Sequence, residues 1–377
     1  MKERIVVIGQ GYLTTYLMPC YERLLGDAIG ECMIGVKGSD RDLEKRRAEC
    51  KYPVVVGGTD AILRQRRPDI IILGVKPHQI AGVTETILAP YYASLRDRNL
   101  PLPDLYSFAP DPTVDYFTDV LGKDVLAANM IPNMVSRIRD CFVAPVGVSF
   151  VSFDPRCQWP EDKRRRAMEF MIPTGTVVEI PGDKAISFLA AQCASHLMYE
   201  FNFIALDVLS ELGRPAAMSE TASAWRSAFR PIFDDPAAHV LPCSADGVDP
   251  DLFAFMQMAM AAFHRGVLDY EISEQIPQAP AHRLICGTME TFQMEAQLET
   301  RAVLDQNTRN HATPGGFLEM CLKTFYARGY ALVADHLRRW LGGNPDLNAA
   351  TEIEAVAFEV AKAISDHGHT VSGVKKK

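Results

Sequence analysis

The sequence predicts an α/β protein in which a doubly wound, mostly parallel sheet is followed by an all-helical region. In the first third of the chain, short apolar and β-branched runs alternate with helical stretches, as expected for a parallel sheet covered on both faces. After Pro181, apolar residues recur at helical spacing and strand-like runs disappear. The chain has 377 residues, which exceeds the ~100 to 200 residues typical of one domain. We therefore expect two domains, 1–181 and 182–377.

The strands are predicted from apolar runs of four to six residues bounded by turn signals. Six of them are expected at Arg4–Ile8, Cys32–Val36, Pro53–Val56, Ile70–Val75, Leu105–Phe108 and Val125–Asn129. Two further extended runs, Cys141–Phe153 and Gly175–Ile180, are expected to complete the sheet, with a helix around Lys163 between them.

The second domain is predicted to be helical throughout. One long helix is expected over Lys184–Leu212, where Leu-Gly-Arg-Pro gives a stop signal. A loop is expected over 231–250, because it is rich in Pro, Asp and Ala. Further helices are expected at Leu252–Arg265, 284–304, 316–341 and 350–366.

Composition and charge exclude several classes of protein. The net charge of −8 argues against a nucleic-acid surface, which normally needs a basic face. No stretch approaches the ~18 consecutive apolar residues of a membrane helix. The first strand begins only a few residues after Met1, which leaves no room for a signal peptide, and the nine cysteines are scattered as in a reduced cytosolic protein. We expect a cytoplasmic protein that acts on a small molecule.

A nucleotide site is predicted directly after the first strand. There the chain reads Gly9-Gln10-Gly11-Tyr12-Leu13 and continues into a helical stretch. In this context the first glycine permits a tight turn, and the second lets the backbone approach a pyrophosphate at a helix N-terminus. Thr14 replaces the third glycine of the full dinucleotide fingerprint. The predicted fold is therefore a Rossmann-type domain that binds a nicotinamide dinucleotide.

The residues after the second predicted strand favour NADP(H) over NAD(H). An NAD-binding protein usually places an acidic residue there, whereas a 2′-phosphate is better met by cations and hydroxyl groups. Lys37 and Arg41 flank Ser39 in this segment. Asp40 leaves the alternative open, because its carboxylate suits a ribose hydroxyl.

Three further segments make the sequence similar to the pyrroline-5-carboxylate reductase family. Ile70–Pro77 resembles the family's strand followed by Val-Lys-Pro. Asn129–Asn133 resembles its Met-Pro-Asn motif, and Ala312–Gly316 resembles its Ser-Pro-Gly-Gly loop. The segments occur in the family's order and together cover most of the chain. We identify the sequence as a divergent member of this family.

The resemblance implies a Rossmann-type doubly wound sheet followed by an all-helical dimerisation domain, in a homodimer or higher homo-oligomer. The family transfers hydride from NAD(P)H to a cyclic imine, with the active site between the nicotinamide and a helical domain. By this resemblance the cofactor would be bound by Gly9, Gln10, Gly11, Tyr12, Leu13, Val75, Lys76 and Pro77. The substrate would be bound by Asn133, Thr313, Gly315, Gly316 and Phe317.

The sequence departs from the family pattern in the substrate loop and in length. Phe317 and Leu318 stand where the family has two threonines. Roughly 40 to 70 residues are inserted within 214–310, a length that can reshape a pocket. A related imine or a keto acid is therefore as good a substrate candidate as pyrroline-5-carboxylate.

Candidate proton donors follow from the alignment with the family. Ser195 and His196 fall where the helical domain should face the nicotinamide, and Lys76 is a third candidate. Histidine donates protons near neutral pH, although a helix histidine is often satisfied by packing.

No metal site is expected, because no histidine pair has H-x-x-x-H spacing. His367 and His369 are close together in the tail, where solvation is the expected state.

Two alternative functions remain. A 3-hydroxyacid-type dehydrogenase shares the predicted architecture but relies on a lysine from the helical domain, and none occurs between Lys184 and Lys323. A non-catalytic NADP-binding sensor or scaffold is the other alternative, because the family's threonine pair is missing.

Overall fold

The computed structural model describes residues 3–133, 148–182, 184–233, 243–312 and 314–371. The chain divides into two compact units. The first, here called the sheet unit, comprises Met1–Arg137, Ser149–Ile186 and His369–Lys377. The second, the helical unit, comprises Ile138–Val148 and Ser187–Gly368.

The strands form one mixed sheet in the order β3-β2-β1-β4-β5-β6-β7-β8. Strands β1 to β6 are parallel, and β7 pairs antiparallel with β6. The predicted α/β fold class with a doubly wound sheet and a helical second part is confirmed. The bounds are β1 (Ile5–Ile8), β2 (Met33–Lys37), β3 (Val54–Val56), β4 (Ile70–Leu73), β5 (Asp104–Ser107), β6 (Ala127–Ile131), β7 (Val148–Phe153) and β8 (Thr176–Pro181).

The central strands are apolar on both faces because helices cover both sides of the sheet. Ile5 and Val7 of β1 pack into one core cluster, with residues of the first helices and of the helix around Lys163. Val6 and Ile8 pack into a second cluster on the opposite face. The same alternation holds for β4, so the sheet unit has a three-layer architecture with two cores.

The helices of the sheet unit connect the strands and flank the sheet. The helix predicted around Lys163 is present as α9. The predicted run Cys141–Phe153 is described from Val148 onward, where it forms β7; residues 141–147 lie outside the described residues. The helices are α1 (Tyr12–Tyr16), α2 (Met18–Leu25), α3 (Ile29–Cys32), α4 (Leu43–Glu49), α5 (Thr59–Arg66), α6 (Pro77–Val83), α7 (Ala89–Arg96), α8 (Val114–Leu121) and α9 (Glu161–Phe170).

The remaining helices follow β8. None of the helices among the described residues combines the length and apolar composition that crossing a membrane requires. None of the eight cysteines that the structure describes is part of a disulfide. The helices are α10 (Ala185–Ser195), α11 (Met198–Glu211), α12 (Met218–Phe229), α13 (Pro250–Ser273), α14 (Gln278–Leu298), α15 (Arg301–His311), α16 (Phe317–Arg328), α17 (Tyr330–Leu341) and α18 (Ala349–Val371).

The prediction of one long helix over Lys184–Leu212 is wrong, because the chain forms α10 and α11 with a tight turn between them. The backbone N–H groups of His196 and Leu197 bond three residues back, to the carbonyls of Cys193 and Ala194. This tighter winding interrupts the α-helical pattern. Apolar residues continue through the turn, so periodicity alone does not reveal it.

Two other predicted helices are also each divided in two. The span 284–304 contains the end of α14 and the start of α15, which is capped by the Thr300 hydroxyl accepting from the Val303 N–H. The span 316–341 is interrupted at Gly329, where a Cβ would lie 2.6 Å from the Phe325 ring and 2.7 Å from Val356. In both places, packing and capping end helices whose apolar pattern continues.

Candidate functional site

The strand order of the sheet defines a crevice at the carboxyl ends of β1 and β4. From β1 the chain proceeds to β2 and β3 on one side, and then crosses to β4 on the other. Loops that leave the sheet in opposite directions open a gap between neighbouring strands, and doubly wound proteins bind ligands there. The predicted Gly9–Leu13 segment begins where β1 ends, so it lies at this crevice.

Gly9 makes the turn after β1 possible. Its φ of +92° lies in a region that other residues rarely adopt. A Cβ on Gly9 would lie 2.5 Å from the Val75 nitrogen and 2.7 Å from the Gly74 carbonyl carbon. The loops after β1 and β4 therefore touch through their backbones, and only glycine fits between them.

Thr14, which replaces the third glycine of the fingerprint, is accommodated by another glycine. Its methyl carbon Cγ2 lies 2.2 Å from the position that a Cβ on Gly74 would occupy. Its hydroxyl accepts a hydrogen bond from the Gly11 N–H at 2.8 Å. The close approach that the missing glycine would permit is thus provided by Gly74 on the facing loop. Sequence analysis missed this role, although a glycine directly after an apolar strand was a signal for it.

The side chain of Gln10 lies beneath the turn and is 2% exposed. Its amide group donates to the Thr15 hydroxyl at 3.0 Å and accepts from the Tyr52 hydroxyl at 2.9 Å. Burial raises the pKa of Tyr52 far above its ordinary value, so this phenol stays protonated and donates. Gln10 therefore fixes the shape of the turn, and only its backbone can face a cofactor.

The surface above Gly11 is open. A Cβ there would meet only the Gly9 carbonyl oxygen, at 3.9 Å. Tyr12 and Leu13 begin α1 at this point, and the Tyr12 side chain is 55% exposed. Helix N-termini present backbone N–H groups that have no partner within the helix and favour anions. The surface at Gly11 is therefore open next to the N-terminus of α1.

The three residues predicted to bind a 2′-phosphate lie at the end of β2 and in the loop after it, and they differ in their surroundings. Lys37 donates from Nζ to the Gln10 carbonyl oxygen at 3.1 Å, so its ammonium group lies next to the turn. Ser39 and Arg41 are exposed in the following loop. The Arg41 side chain is 89% exposed and lies 3.8 Å from the Asp42 carboxylate. The structure thus brings Lys37 to the crevice and leaves Arg41 able to move towards a ligand.

The residues predicted on the nicotinamide side follow β4. Val75 contacts the Gly9 turn through its backbone, as described above. Lys76 is exposed and precedes α6, and Pro77 is the first residue of that helix, where a missing N–H is harmless. Lys76 donates its backbone N–H to the Gln79 side chain at 3.3 Å. Val75, Lys76 and Pro77 therefore lie at the same edge of the sheet as the Gly9–Leu13 turn.

Asn133 is buried just beyond the carboxyl end of β6. Its N–H donates to the Ser149 hydroxyl at 2.7 Å, and its carbonyl accepts from the Tyr16 hydroxyl at 3.1 Å. Tyr16 belongs to α1, so this residue is connected to the helix that follows the glycine turn. With 1% of Asn133 exposed, its described contacts are structural.

Ser195 and His196, the predicted proton donors, lie inside the helical unit. The Ser195 hydroxyl donates to the Ala191 carbonyl of its own helix at 2.9 Å. The His196 ring is 3% exposed and packs edge-on against Tyr199 and Phe292, with centroids 4.7 and 4.8 Å away. Its Nε2 lies 3.5 Å from the Thr308 hydroxyl. These contacts place both residues in the core of the helical unit.

The predicted substrate loop precedes α16. Thr313 lies outside the described residues, whereas Gly316 caps α16 and Phe317 begins it. The Gly315 N–H donates to the Glu319 carboxylate at 2.5 Å, and the Gly315 carbonyl accepts from the His367 ring at 2.9 Å. The expectation that His367 is merely solvated in the tail is therefore wrong, because it lies in α18 and bonds this loop. The chain itself supplies a carboxylate to the Gly315 amide, where a substrate carboxylate was expected.

Two of the predicted segments come together within the helical unit. The Cys321 thiol of α16 donates to the Cys193 carbonyl of α10 at 3.3 Å. The helix after the glycine loop therefore packs against the helix that ends at Ser195. Burial raises the pKa of Cys193 to about 12, so neither its reactivity nor its charge contributes at neutral pH.

A cavity of about 450 Å³ lies at the opposite, amino-terminal end of the sheet. Its lining includes Arg4, Tyr91 and Lys163. Most of its charged groups are already paired: Arg4 bonds Asp69, and Lys163 bonds Asp104 at 2.8 Å. The buried carboxyl of Asp104 has a raised pKa because burial disfavours its charge. This cavity contains none of the predicted site residues.

No protein-family model and no curated protein matches the sequence. Among solved structures, a pyrroline carboxylate reductase from Plasmodium falciparum with NADP bound is similar at 12% identity over 95% of this chain and 99% of that chain, with a TM-score of 0.38. A pyrroline-5-carboxylate reductase from Coxiella burnetii gives 17% identity, coverage of 92% and 100%, and a TM-score of 0.41. D-mandelate dehydrogenase with NADH and anilino(oxo)acetate is similar at 12% identity over 96% of this chain and 99% of that chain, with a TM-score of 0.41. At this level of similarity the neighbours establish neither a family nor an activity for this chain.

Proposed function

We propose that this protein is an NADP(H)-dependent reductase of the pyrroline-5-carboxylate reductase type, which transfers hydride to a cyclic imine or to a related imino or keto acid. One observation carries the proposal. An open glycine turn after β1 lies at the point where the strand order of a doubly wound sheet reverses, with Lys37 beside it. That combination is the arrangement by which such sheets bind dinucleotides.

Two features favour NADP(H) over NAD(H), and one residue competes. Lys37 ends β2, and Ser39 and Arg41 follow it in the loop. A guanidinium group is well suited to hold a phosphate by paired hydrogen bonds. Arg41 is largely exposed, and its ion pair with Asp42 is long, at 3.8 Å. Asp40 is the competing group, because its carboxylate suits an unphosphorylated ribose.

The substrate class rests on the three family-like segments and on the chemistry of imines. A protonated imine is already electrophilic, so the protein mainly has to orient it against the hydride donor. This requirement agrees with Ser195 and His196 being engaged in core contacts. Orientation of the substrate, and not proton donation by these two residues, is therefore the role we assign to the protein.

The test is calorimetric titration of the chain with NADPH and with NADH, before and after Arg41→Ala. The variant should bind NADPH roughly 10- to 100-fold more weakly, because a hydrogen bond to a charged group contributes about 1.5 to 3 kcal/mol. Binding of NADH should change little, since NADH lacks the 2′-phosphate. Equal losses for both cofactors would contradict the assignment of this loop.

A second variant tests the turn itself. Gly11→Val fills the open surface where the diphosphate would lie, and the φ of −134° at Gly11 accepts a side chain. We expect NADPH binding to be lost while the thermal unfolding temperature is retained. Cofactor oxidation with a panel of cyclic imines and keto acids then identifies the substrate class; binding without turnover of any of them would favour a sensor.

A further inference from the structure

Three side chains of the helical unit converge within metal-coordination distance on the helical hairpin formed by α13 and α14. His264 lies on α13, and His282 and Cys286 lie one turn apart on α14. One ligand atom from each of the three lies within 4.8 Å of the other two. The H-x-x-x-H spacing does not reveal this cluster, because its His-x-x-x-Cys pair is completed by a histidine from another helix.

The distances fit a small tetrahedral ion. His264 Nε2 and His282 Nδ1 are 3.0 Å apart, and Cys286 Sγ lies 3.7 Å from His282 Nδ1. Zinc bonds of about 2.0 to 2.1 Å to nitrogen and about 2.3 Å to sulfur place tetrahedral ligands roughly 3.3 to 3.6 Å apart. The third pair, between His264 and Cys286, lies within 4.8 Å. A side-chain rotation that brings these two atoms about 1 Å closer would place all three on one ion.

We propose that His264, His282 and Cys286 bind one Zn²⁺ ion, which connects α13 to α14. Two imidazoles and a thiolate form a ligand set that favours zinc over magnesium or calcium, because those two ions take oxygen ligands. Three protein ligands leave one tetrahedral position for water. Binding forms two Zn–N bonds and one Zn–S bond, and the thiol proton of Cys286 passes to the solvent.

The surroundings suit a zinc site in two further ways. Cys286 and His264 are buried, whereas His282 is partly exposed and gives an ion a route in. The nearest acidic residue one turn further along α14, Glu290, is bonded to Arg226 at 2.6 Å and is not needed as a ligand.

The site lies where two helices of the helical unit meet. Residues 264 to 286 fall within 214–310, the region in which the sequence predicts an insertion of roughly 40 to 70 residues relative to the reductase family. The two helices meet here through His264 and His282, whose rings also pack edge-on with centroids 4.9 Å apart. An ion at this point would hold α13 against α14, whether or not a nucleotide is bound to the sheet unit.

The test is titration of the full chain with CoCl₂ after removal of metals by a chelator. Cobalt replaces zinc in such sites, and its bond to a thiolate gives a charge-transfer band in the near ultraviolet. We expect one equivalent to bind with this band and to be displaced by ZnCl₂. Zinc should also raise the thermal unfolding temperature, because it binds the folded state.

Variants separate the proposed ligands from other thiols. Cys286→Ser should abolish the charge-transfer band, and His282→Gln, at the less buried position, should weaken cobalt binding at least about tenfold, since even outer-shell changes have effects of that size. Cys321→Ser is the matched control, because Cys321 is equally buried in the same unit, bonds the Cys193 carbonyl and is not part of the cluster. It should retain the band.

Absence of a band in the wild-type chain, or a band that persists in Cys286→Ser, would overturn the proposal. The hydrogen bond between the two rings would then be the whole purpose of the cluster. Circular dichroism of each variant verifies that it is folded, and His282→Gln provides the result if Cys286→Ser does not fold.

Discussion

The sheet unit and the helical unit use their polar residues in different ways. In the sheet unit, the candidate site is made from backbone and from exposed loop side chains at the ends of strands, with Gly9, Gly11 and Arg41 as examples. In the helical unit, polar side chains are bonded to one another in the core: Arg226 with Glu290, and Asn202 with Gln293 at 2.7 Å.

This difference has a physical cause. Strand ends of a doubly wound sheet open to solvent at a place set by topology, so groups there can remain available for a ligand. Helices packed on all sides bury their polar residues, and buried polar groups must be paired. Exposed polar groups at the strand ends of the sheet unit therefore indicate a binding site, whereas the paired polar groups in the core of the helical unit indicate a structural role.

The largest effect is expected for the buried ion pair of the helical unit. Arg226 is 0% and Glu290 3% exposed, and Arg226 Nη1 also donates to Gln297 at 2.7 Å. Arg226→Ala would leave the Glu290 carboxylate buried without its cation, so we expect a loss of about 3 to 5 kcal/mol in the free energy of unfolding. Arg338→Ala removes an exposed pair with Glu211 and should lose only about 0 to 1 kcal/mol in urea titrations. Similar losses for the two variants would remove the contrast between buried and exposed pairs.

The next effect concerns the glycine turn of the sheet unit. Gly9→Ala places a methyl group 2.5 Å from the Val75 nitrogen, at a φ that alanine disfavours. We expect a loss of about 2 kcal/mol or more in the free energy of unfolding. Gly11→Ala is the control, since its nearest atom would be 3.9 Å away, and it should change stability by less than about 1 kcal/mol. If Gly9→Ala unfolds at the wild-type denaturant concentration, the two loops do not touch as described.

A pH-dependent effect is expected from Glu200 in the helical unit. Burial raises the pKa of this carboxyl from 4.5 to about 6, partly opposed by the hydrogen bond from the Tyr326 hydroxyl at 2.7 Å. The folded state therefore holds the proton more tightly than the unfolded state, and the stability this provides is lost as pH rises through 6. Between pH 4 and pH 7, the free energy of unfolding of Glu200→Gln should therefore increase by about 2 kcal/mol relative to that of wild type. Urea unfolding at both pH values measures this gain, and a difference that does not change with pH would exclude it.

The smallest effect is expected for Ser195. Its hydroxyl bonds only to the carbonyl of its own helix four residues earlier among the described contacts. Ser195→Ala should therefore shift the free energy of unfolding by about 0.5 kcal/mol, since such bonds contribute little to a helix. The kcat of the Ser195→Ala variant, with any substrate identified in the panel, should equal that of the wild-type protein. A large fall in kcat would restore Ser195 as a catalytic residue.

Much of the sheet unit could be predicted from sequence because its signals are local. A run such as Ile70–Leu73, apolar on both faces and followed by glycine, permits few alternatives to a buried parallel strand. The Gly9 turn is similarly a short-range pattern in a fixed position. The contact by which Gly74 makes room for Thr14 was not predictable. The two residues are 60 positions apart, and only the pairing of β1 with β4 brings them together.

The helical unit was harder to predict because its boundaries depend on packing. The turn at His196 and the break at Gly329 interrupt apolar patterns that continue in sequence. The cluster of His264, His282 and Cys286 needs two helices to meet, and no spacing along one helix reveals it. Contacts between residues that are distant in sequence determine these helix ends and this cluster, and a single sequence does not reveal those contacts.

The hydrogen bond between Gly315 and Glu319 has a consequence for affinity. Any free carboxylate or phosphate that arrives at this amide must first displace a tethered competitor whose local concentration never falls. The dissociation constant measured for an anion at this loop will then be larger than it would be if the Gly315 N–H had no competing carboxylate. Neutralising Glu319 would turn a weak binder into a tighter one without adding a single new interaction with the incoming molecule.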